Sequence, residues 1–149
     1  MRFDLRELYQ EVILDHNKRP RNKGKVESPT NEAEGHNPLC GDQVHVTIHT
    51  KDGKIDDIAF EGQGCAISTA SASLMTEAVK GKTLQEAEAI FREFQAMVTT
   101  PDNGNLHEDL GEMIALAGVR DYPVRIKCAT LPWHTLHAAL TGDGKVSTE

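Results

Sequence analysis

The apolar positions of the chain switch between the period of a strand and the period of a helix. Val44, Val46 and Ile48 alternate with polar residues, as in a strand with one buried face. Turn residues and a second apolar run follow, so the pattern predicts a β-hairpin over 43–61. A preceding strand near 31–36 is more weakly indicated. These segments together predict a small antiparallel sheet.

Helical spacing governs the other segments. Asp4 and Glu7 form a capping-box pair before an apolar stripe that Pro20 ends. The further predicted helices start at Cys65, at Thr83, near 106 and at Thr130. The first ends near Gly81, the second has an apolar face through Phe94 and precedes a loop that begins at Thr99, the third is closed by Gly118, and the last is followed by a tail from Gly142. Strands followed by helices predict an α+β fold, in which a three-stranded antiparallel sheet packs with helices on one face.

Composition narrows the class of protein. The chain has 149 residues, a formal net charge of −7 and three cysteines. This length predicts a single domain over 1–149 with a polar, mobile tail at about 142–149. The acidic balance argues against nucleic acid and anionic membranes as partners. The odd cysteine count argues against a disulfide framework, and no apolar run reaches the ~18 residues of a membrane span. With no signal-peptide core at the N-terminus, the sequence predicts a cytoplasmic protein.

Charge is distributed unevenly along the chain. The segment 18–25 is basic, whereas most of the excess acidity falls in the predicted helical pair 81–122. Each segment is either a solvated surface or a docking face for a partner protein. Charge alone does not choose between the two.

Each cysteine lies at a predicted element boundary. Cys40 falls in a loop before the first clear strand, Cys65 opens the central helix, and Cys128 precedes the last predicted helix. A helix N-terminus lowers the pKa of a nearby thiol, which favours thiolates at these positions. With Asp42, three thiolates make a four-ligand set of the kind that zinc accepts, and thiolates also suit iron–sulfur clusters. No C-x-x-C spacing is present, so three unrelated cysteines remain the alternative.

Other candidate chemistry is weaker. Gly62-x-Gly64 follows a strand and opens a helix, but the third glycine of a dinucleotide fingerprint is missing, so its simpler role is to make room around Cys65. Among the histidines, His36 is the one expected to approach the cysteine site. The others considered are a solvated pair on the strand, His45 and His49, and a pair one helical turn apart that could bind a metal, His134 and His137.

Three segments in order resemble the IscU/NifU N-terminal family of iron–sulfur assembly proteins. They are Asn37-Pro38-Leu39-Cys40-Gly41-Asp42, the run from Gly62 to Ser73, and Arg125-Ile126-Lys127-Cys128. The resemblance extends over about 5–140. Scaffold members carry a histidine where this chain has Lys127, a chaperone-binding Leu-Pro-Pro-Val-Lys where it has 121–125, and a shorter stretch around 99–119. These departures resemble the SufU branch.

The resemblance implies a specific function. SufU-type proteins are understood as zinc-dependent sulfurtransferases that accept persulfide sulfur from SufS, a PLP-dependent cysteine desulfurase, and pass it to downstream SUF scaffold proteins. By motif, the zinc ligands are Cys40, Asp42, Cys65 and Cys128, and Cys40 is the sulfur acceptor; PLP belongs to the desulfurase. The alternatives are a [2Fe–2S] assembly scaffold that uses the same cysteines and an interaction module with a structural zinc.

Overall fold

A computed structural model describes residues 5–38, 41–99, 108–142 and 144–147. In chain order the elements are α1 (Leu5–Lys18), β1 (Asn31–Asn37), β2 (Asp42–Lys51), β3 (Lys54–Gln63), α2 (Ala66–Val79), α3 (Leu84–Thr99), a 3₁₀ segment (Glu108–Asp121), α4 (Pro123–Thr141) and β4 (Lys145–Ser147). Within the described part of the chain, none of the helices combines the length and the apolar content needed to cross a membrane.

The sheet confirms the predicted α+β class. β1, β2 and β3 are antiparallel neighbours, and their register aligns the buried residues Ala33, Val46 and Phe60 across the three strands. The weakly indicated first strand therefore forms. β4 adds a short parallel strand beside β1 inside the segment expected to be a mobile tail. Strand pairing of this kind uses backbone groups, which the polar side chains of the tail do not reveal.

The helices α2 and α4 pack together and against the sheet. β1 comes so close to α4 that a Cβ at Gly35 would collide with Thr135 Oγ1. Trp133 of α4 is fully buried and stacks on Phe94 of α3, with ring centroids 4.9 Å apart. These contacts fix α4, which carries one of the cysteines, relative to the sheet.

Two helical segments differ from the sequence prediction. The last helix begins at Pro123 rather than Thr130, because proline is favourable at a first helical position and the Thr130 hydroxyl donates to the Ile126 carbonyl within the helix. The segment expected as a helix over 106–117 is, in its described part from Glu108 onward, a 3₁₀ segment interrupted at Gly111, whose φ is 55°. The first two positions of the expected helix lie outside the described residues. By contrast, the predicted Thr83–Glu86 capping box is confirmed, with both reciprocal hydrogen bonds at 3.0 Å. The capping residue proposed at Asp4 lies outside the described residues.

A buried histidine ties α1 to two other elements. His16 is fully buried, and its ring is hydrogen-bonded to Ser73 of α2 at 2.7 Å and to Glu112 of the 3₁₀ segment at 3.2 Å. The sequence pattern carries no signal for this contact, because its partners lie 57 and 96 positions away. α1 is thereby anchored to α2 and to the 3₁₀ segment.

Candidate metal centre

Three of the four residues expected as ligands lie together at one end of the sheet. Asp42 is the first residue of β2, Cys65 precedes α2, and Cys128 lies in α4. One ligand atom from each lies within 4.8 Å of the other two. Asp42 and Cys128 are buried and Cys65 is half-buried. Cys40, the fourth expected ligand, lies outside the described residues.

Local backbone geometry joins Asp42 to Cys65. Cys65 is the N-cap of α2, as the sequence predicted, and its Sγ accepts a hydrogen bond from the Ser68 amide at 3.4 Å. The Cys65 amide donates to Asp42 Oδ1 at 2.9 Å, and the Cys65 thiol lies 3.7 Å from Oδ2. The carboxylate thus satisfies an amide at the start of α2 and simultaneously faces the thiol.

The two glycines before Cys65 have the simpler role expected of them. Gly62 has φ of 145°, and a Cβ there would collide with the backbone carbonyl of Gln43 on the neighbouring strand. A Cβ on Gly64 would lie 3.2 Å from Asp42 Oδ1. Both positions therefore keep space for the turn that brings Cys65 beside Asp42.

The environment of Cys128 differs from the sequence prediction. Because α4 starts at Pro123, Cys128 lies in the second turn and not at the helix N-terminus. The field of a helix terminus falls off within the first turn, so the predicted effect on the Cys128 thiol is lost. Arg125, whose positive charge the sequence already places near Cys128, lies one turn earlier on α4.

Tyr9 is a residue of the site that the sequence pattern does not reveal. Burial raises the pKa of its phenol, while a hydrogen bond from Arg125 and its charge act in the opposite direction. The charges of Cys65 and Cys128 also raise the pKa of the phenol, so Tyr9 is coupled electrostatically to both thiols. In the sequence, Tyr9 falls in the apolar stripe of α1, and nothing in that pattern separates it from an ordinary core residue.

The donor set fits a tetrahedral zinc ion. Zinc–sulfur bonds of ~2.3 Å at tetrahedral angles place sulfur ligands ~3.8 Å apart, and a carboxylate oxygen lies ~3.5 Å from a sulfur. The Cys65–Asp42 distance of 3.7 Å is close to that value, and the 4.8 Å limit on the set requires only a small contraction. Two thiols and one carboxylate are ligands that zinc accepts, and a fourth ligand would complete the tetrahedral set.

The histidines take no part in this group among the described residues. His36 is exposed on β1 and is not one of the residues that converge there. The strand pair faces carboxylates, with His45 3.1 Å from Glu32 and His49 3.4 Å from Asp56. The possible helical metal pair is engaged elsewhere: His134 packs edge-on against Phe91, and His137 contacts Glu88 at 2.7 Å.

Comparison with known proteins agrees with this arrangement. The chain is 45% identical over 136 residues to the iron–sulfur cluster assembly scaffold protein IscU of Streptococcus pyogenes serotype M1, an alignment that covers 91% of this chain and 84% of the relative. It is 44% identical over 129 residues to the zinc-dependent sulfurtransferase SufU of Bacillus subtilis strain 168, covering 87% and 86% of the two chains.

A solved structure has the same fold. The crystal structure of a proposed iron–sulfur cluster assembly scaffold for the SUF system from Fervidobacterium islandicum AW-1 superposes with a TM-score of 0.82 at 40% identity, covering 90% of this chain and 97% of that one. The family model of the NifU-like N-terminal domain matches residues 8–129. The chain therefore belongs to the NifU-like N-terminal domain family, which includes proteins named IscU and SufU.

Proposed function

We propose that this protein is a zinc-dependent sulfurtransferase of iron–sulfur cluster assembly. It accepts persulfide sulfur on Cys40 from a PLP-dependent cysteine desulfurase of the SufS type, and it passes the sulfur to downstream SUF scaffold proteins. The observation that carries the proposal is the convergence of Asp42, Cys65 and Cys128 within 4.8 Å. The relative named as a zinc-dependent sulfurtransferase supports it.

Cys40 is the proposed acceptor because the chain keeps it near this group. It is two residues from Asp42, so the two Cα atoms are at most ~7 Å apart. On the Cys40 side of β2, the Gly41 amide donates to the Asn37 carbonyl at 2.9 Å, and Gly41 has φ of 73°. A glycine at this position can absorb a change in backbone direction. Cys40 can therefore complete the ligand set or turn outward to a donor.

The transfer is a displacement at sulfur. The Cys40 thiolate attacks the terminal sulfur of the donor persulfide, a new S–S bond forms on Cys40, and the donor's S–S bond breaks to release the donor cysteine as a thiolate. No net oxidation occurs, because the number of S–S bonds is unchanged. The rate depends on the thiolate fraction and the access of the attacking thiol.

The proposed zinc ligands are Cys40, Asp42, Cys65 and Cys128. When bound, zinc would keep its sulfur ligands deprotonated at neutral pH. The roles of the other groups follow from their contacts. Asp42 holds the start of α2 in place, and buried Cys128 fixes the ligand set to the core. Thiols of this kind stay reduced in the cytoplasm, where we place the protein.

A [2Fe–2S] assembly scaffold is the second candidate. The relative from Streptococcus pyogenes is named as a scaffold, and iron–sulfur clusters are also held by thiolates. Lys127 argues against this function. Lys127 directly precedes Cys128, and the scaffold members that the chain resembles carry a histidine at this position. An ammonium group cannot replace a neutral nitrogen ligand.

Metal analysis of protein purified without oxygen separates the two candidates. The proposal predicts colourless protein with one zinc per chain, and stimulation of a cysteine desulfurase that a Cys40→Ala substitution abolishes. The control is Thr69→Ala, which changes a half-buried residue one turn into α2 and should leave stimulation intact. Brown protein containing iron and sulfide would establish the scaffold function instead. Full stimulation by the Cys40→Ala variant would remove Cys40 as the acceptor, and a structural zinc would then be the remaining role of the site.

A further inference from the structure

The guanidinium of Arg125 lies beside two tyrosines near the candidate metal centre. Its central carbon lies 5.0 Å from the centre of the Tyr122 ring, and its charge lowers the pKa of the Tyr9 phenol against the larger effect of burial. Arg125 precedes Cys128 by three residues, so the two side chains are neighbours on α4. Tyr9 is itself packed against the core and lies 3.8 Å from the position that a Cβ on Gly118 would take. The cation therefore interacts with tyrosines from two different parts of the chain.

The charge of Arg125 is not neutralised by the side chains that the structure describes. The basic segment 18–25 contrasts with it: Arg21 pairs with Asp15 at 2.7 Å, and Lys25 lies 3.4 Å from Glu61. Among the carboxylates whose side chains the structure describes, none lies within 4.0 Å of the Arg125 guanidinium, although the protein has a net charge of −7. An exposed arginine held by aromatic groups presents its charge to the solvent, where a planar anion can bind it.

Exposed apolar side chains lie near Arg125 in the sequence. Tyr122 is 54% exposed and Val124 is 52% exposed, and Val124 lies one helical turn before Cys128. Leu14, at 60%, is on α1 three residues before Asn17, whose amide donates to the Ala66 carbonyl next to Cys65. These three are the large hydrophobic residues that the described part of the chain exposes, and two of them, Tyr122 and Val124, lie within three residues of Arg125. Arginine and tyrosine beside exposed aliphatic groups are residue types typical of protein interfaces.

We propose that Arg125, positioned by Tyr9 and Tyr122, binds a carboxylate side chain of the protein that delivers sulfur, and that Tyr122 and Val124 form the apolar part of the same docking surface. The proposal rests on the proposed function, since a sulfur donor must bring its persulfide to this end of the molecule. The surface is continuous with the metal centre, and Arg125, which has no carboxylate partner among the described residues, sets the sign of the partner group as acidic. A preformed guanidinium geometry recognises a carboxylate through two parallel hydrogen bonds.

Two measurements with purified cysteine desulfurase from the same organism test the proposal. The first is the equilibrium Kd of the zinc-loaded protein for the desulfurase, and the second is the dependence of the sulfur-transfer rate on the concentration of this protein. Arg125→Ala should raise both Kd and KM about tenfold and leave kcat within about twofold, which is the size of one lost charge-assisted hydrogen bond. Arg125→Lys should recover only part of the loss, because lysine cannot form the paired contact.

Tyr9→Phe tests the positioning of the arginine. It keeps the ring and removes the hydroxyl, so KM should rise by about threefold with unchanged zinc content, which is less than the effect of losing the charge. The wild-type Kd should rise with salt, and the Arg125→Ala variant should show a weaker salt dependence. Arg92→Ala is the matched control, because Arg92 is an exposed arginine on α3 and should change neither constant.

Several outcomes would overturn the docking role. An unchanged Kd in Arg125→Ala would do so directly. A lower kcat at unchanged KM would place Arg125 in the chemical step, and loss of zinc would make its role structural. The proposed function would fail separately if the wild-type protein bound the desulfurase but received no sulfur. In that case, a higher Kd for Arg125→Ala would still support the docking contact. Absence of any wild-type binding would refute both.

Discussion

Replacement of Asp42 by alanine tests the double role of this carboxylate. Asp42 is 1% exposed, accepts the Cys65 amide at 2.9 Å and lies 3.7 Å from the Cys65 sulfur. In metal-free protein, the substitution leaves an amide at the start of α2 unsatisfied. Losing an N-terminal hydrogen bond of this kind costs about 1–3 kcal/mol, so the melting temperature should fall by roughly 3–10 °C for a chain of this size.

The same substitution should weaken zinc binding more strongly. Structural zinc sites of four ligands contribute about 10–16 kcal/mol, or roughly 3 kcal/mol per ligand, so one lost ligand lowers the affinity about a hundredfold. Unfolding can be followed by the fluorescence of Trp133, which is fully buried and is the one tryptophan of the chain. Zinc affinity can be measured by competition with a chromophoric chelator.

The two measurements separate the two roles. Asp42→Asn should keep most of the hydrogen bond to Cys65 while still weakening zinc binding. Asp56→Ala, at an exposed carboxylate on β3, is the matched control and should change neither quantity appreciably. If Asp42→Ala lowers the melting temperature but binds zinc with wild-type affinity, Asp42 supports the fold and is not a ligand.

Three other predictions address the packing around the site. Gly35→Ala should destabilise the protein by at least ~2 kcal/mol in chemical denaturation, because the added methyl group collides with Thr135 of α4; a loss below ~0.5 kcal/mol would show that β1 and α4 separate easily. His16→Ala should cost about 2–4 kcal/mol by removing a buried ring and its contacts with Ser73 and Glu112, and a neutral result would contradict the anchoring of α1. Burial raises the pKa of Tyr9, so the stabilisation linked to its protonated form is complete below about pH 10 and is lost as pH rises through the higher pKa of the folded state. Tyr9→Phe should remove this loss of stability at alkaline pH. An ultraviolet phenol titration that is the same in Tyr9→Phe and in the wild type would disprove the raised pKa of Tyr9.

The fold was largely predictable because its local signals agree with its tertiary contacts. The alternation through Val46 matches the buried face of β2, and the Thr83–Glu86 pair forms the expected cap of α3. The start of α4 was missed because Thr130 and Pro132 imitate a helix beginning, whereas Pro123 provides the actual first position. β4 was missed because its pairing with β1 uses backbone hydrogen bonds. A strand of three residues with a single apolar position shows no alternation in the sequence.

The candidate site was predictable in its residues and less so in its surroundings. Cys65 and Asp42 lie at element boundaries that the sequence marks with glycines. Tyr9 and Arg125 are more than a hundred positions apart, and α1 is placed by its packing against α2 and the 3₁₀ segment. Neither residue type nor spacing encodes that packing, so the place of Tyr9 beside the site emerges only from the tertiary structure.

The position of the transferred sulfur atom decides whether Cys40 is the acceptor. The protein is mixed without oxygen with a cysteine desulfurase and cysteine, blocked with an alkylating reagent, digested and examined by mass spectrometry. Transfer to Cys40 predicts one added sulfur atom on the peptide containing Cys40 and none on the peptides containing Cys65 or Cys128. A sample taken before alkylation should still contain one zinc per chain. Sulfur found on Cys65 or Cys128 but not on Cys40, or unmodified cysteines in a protein that binds the active desulfurase, would contradict transfer to Cys40.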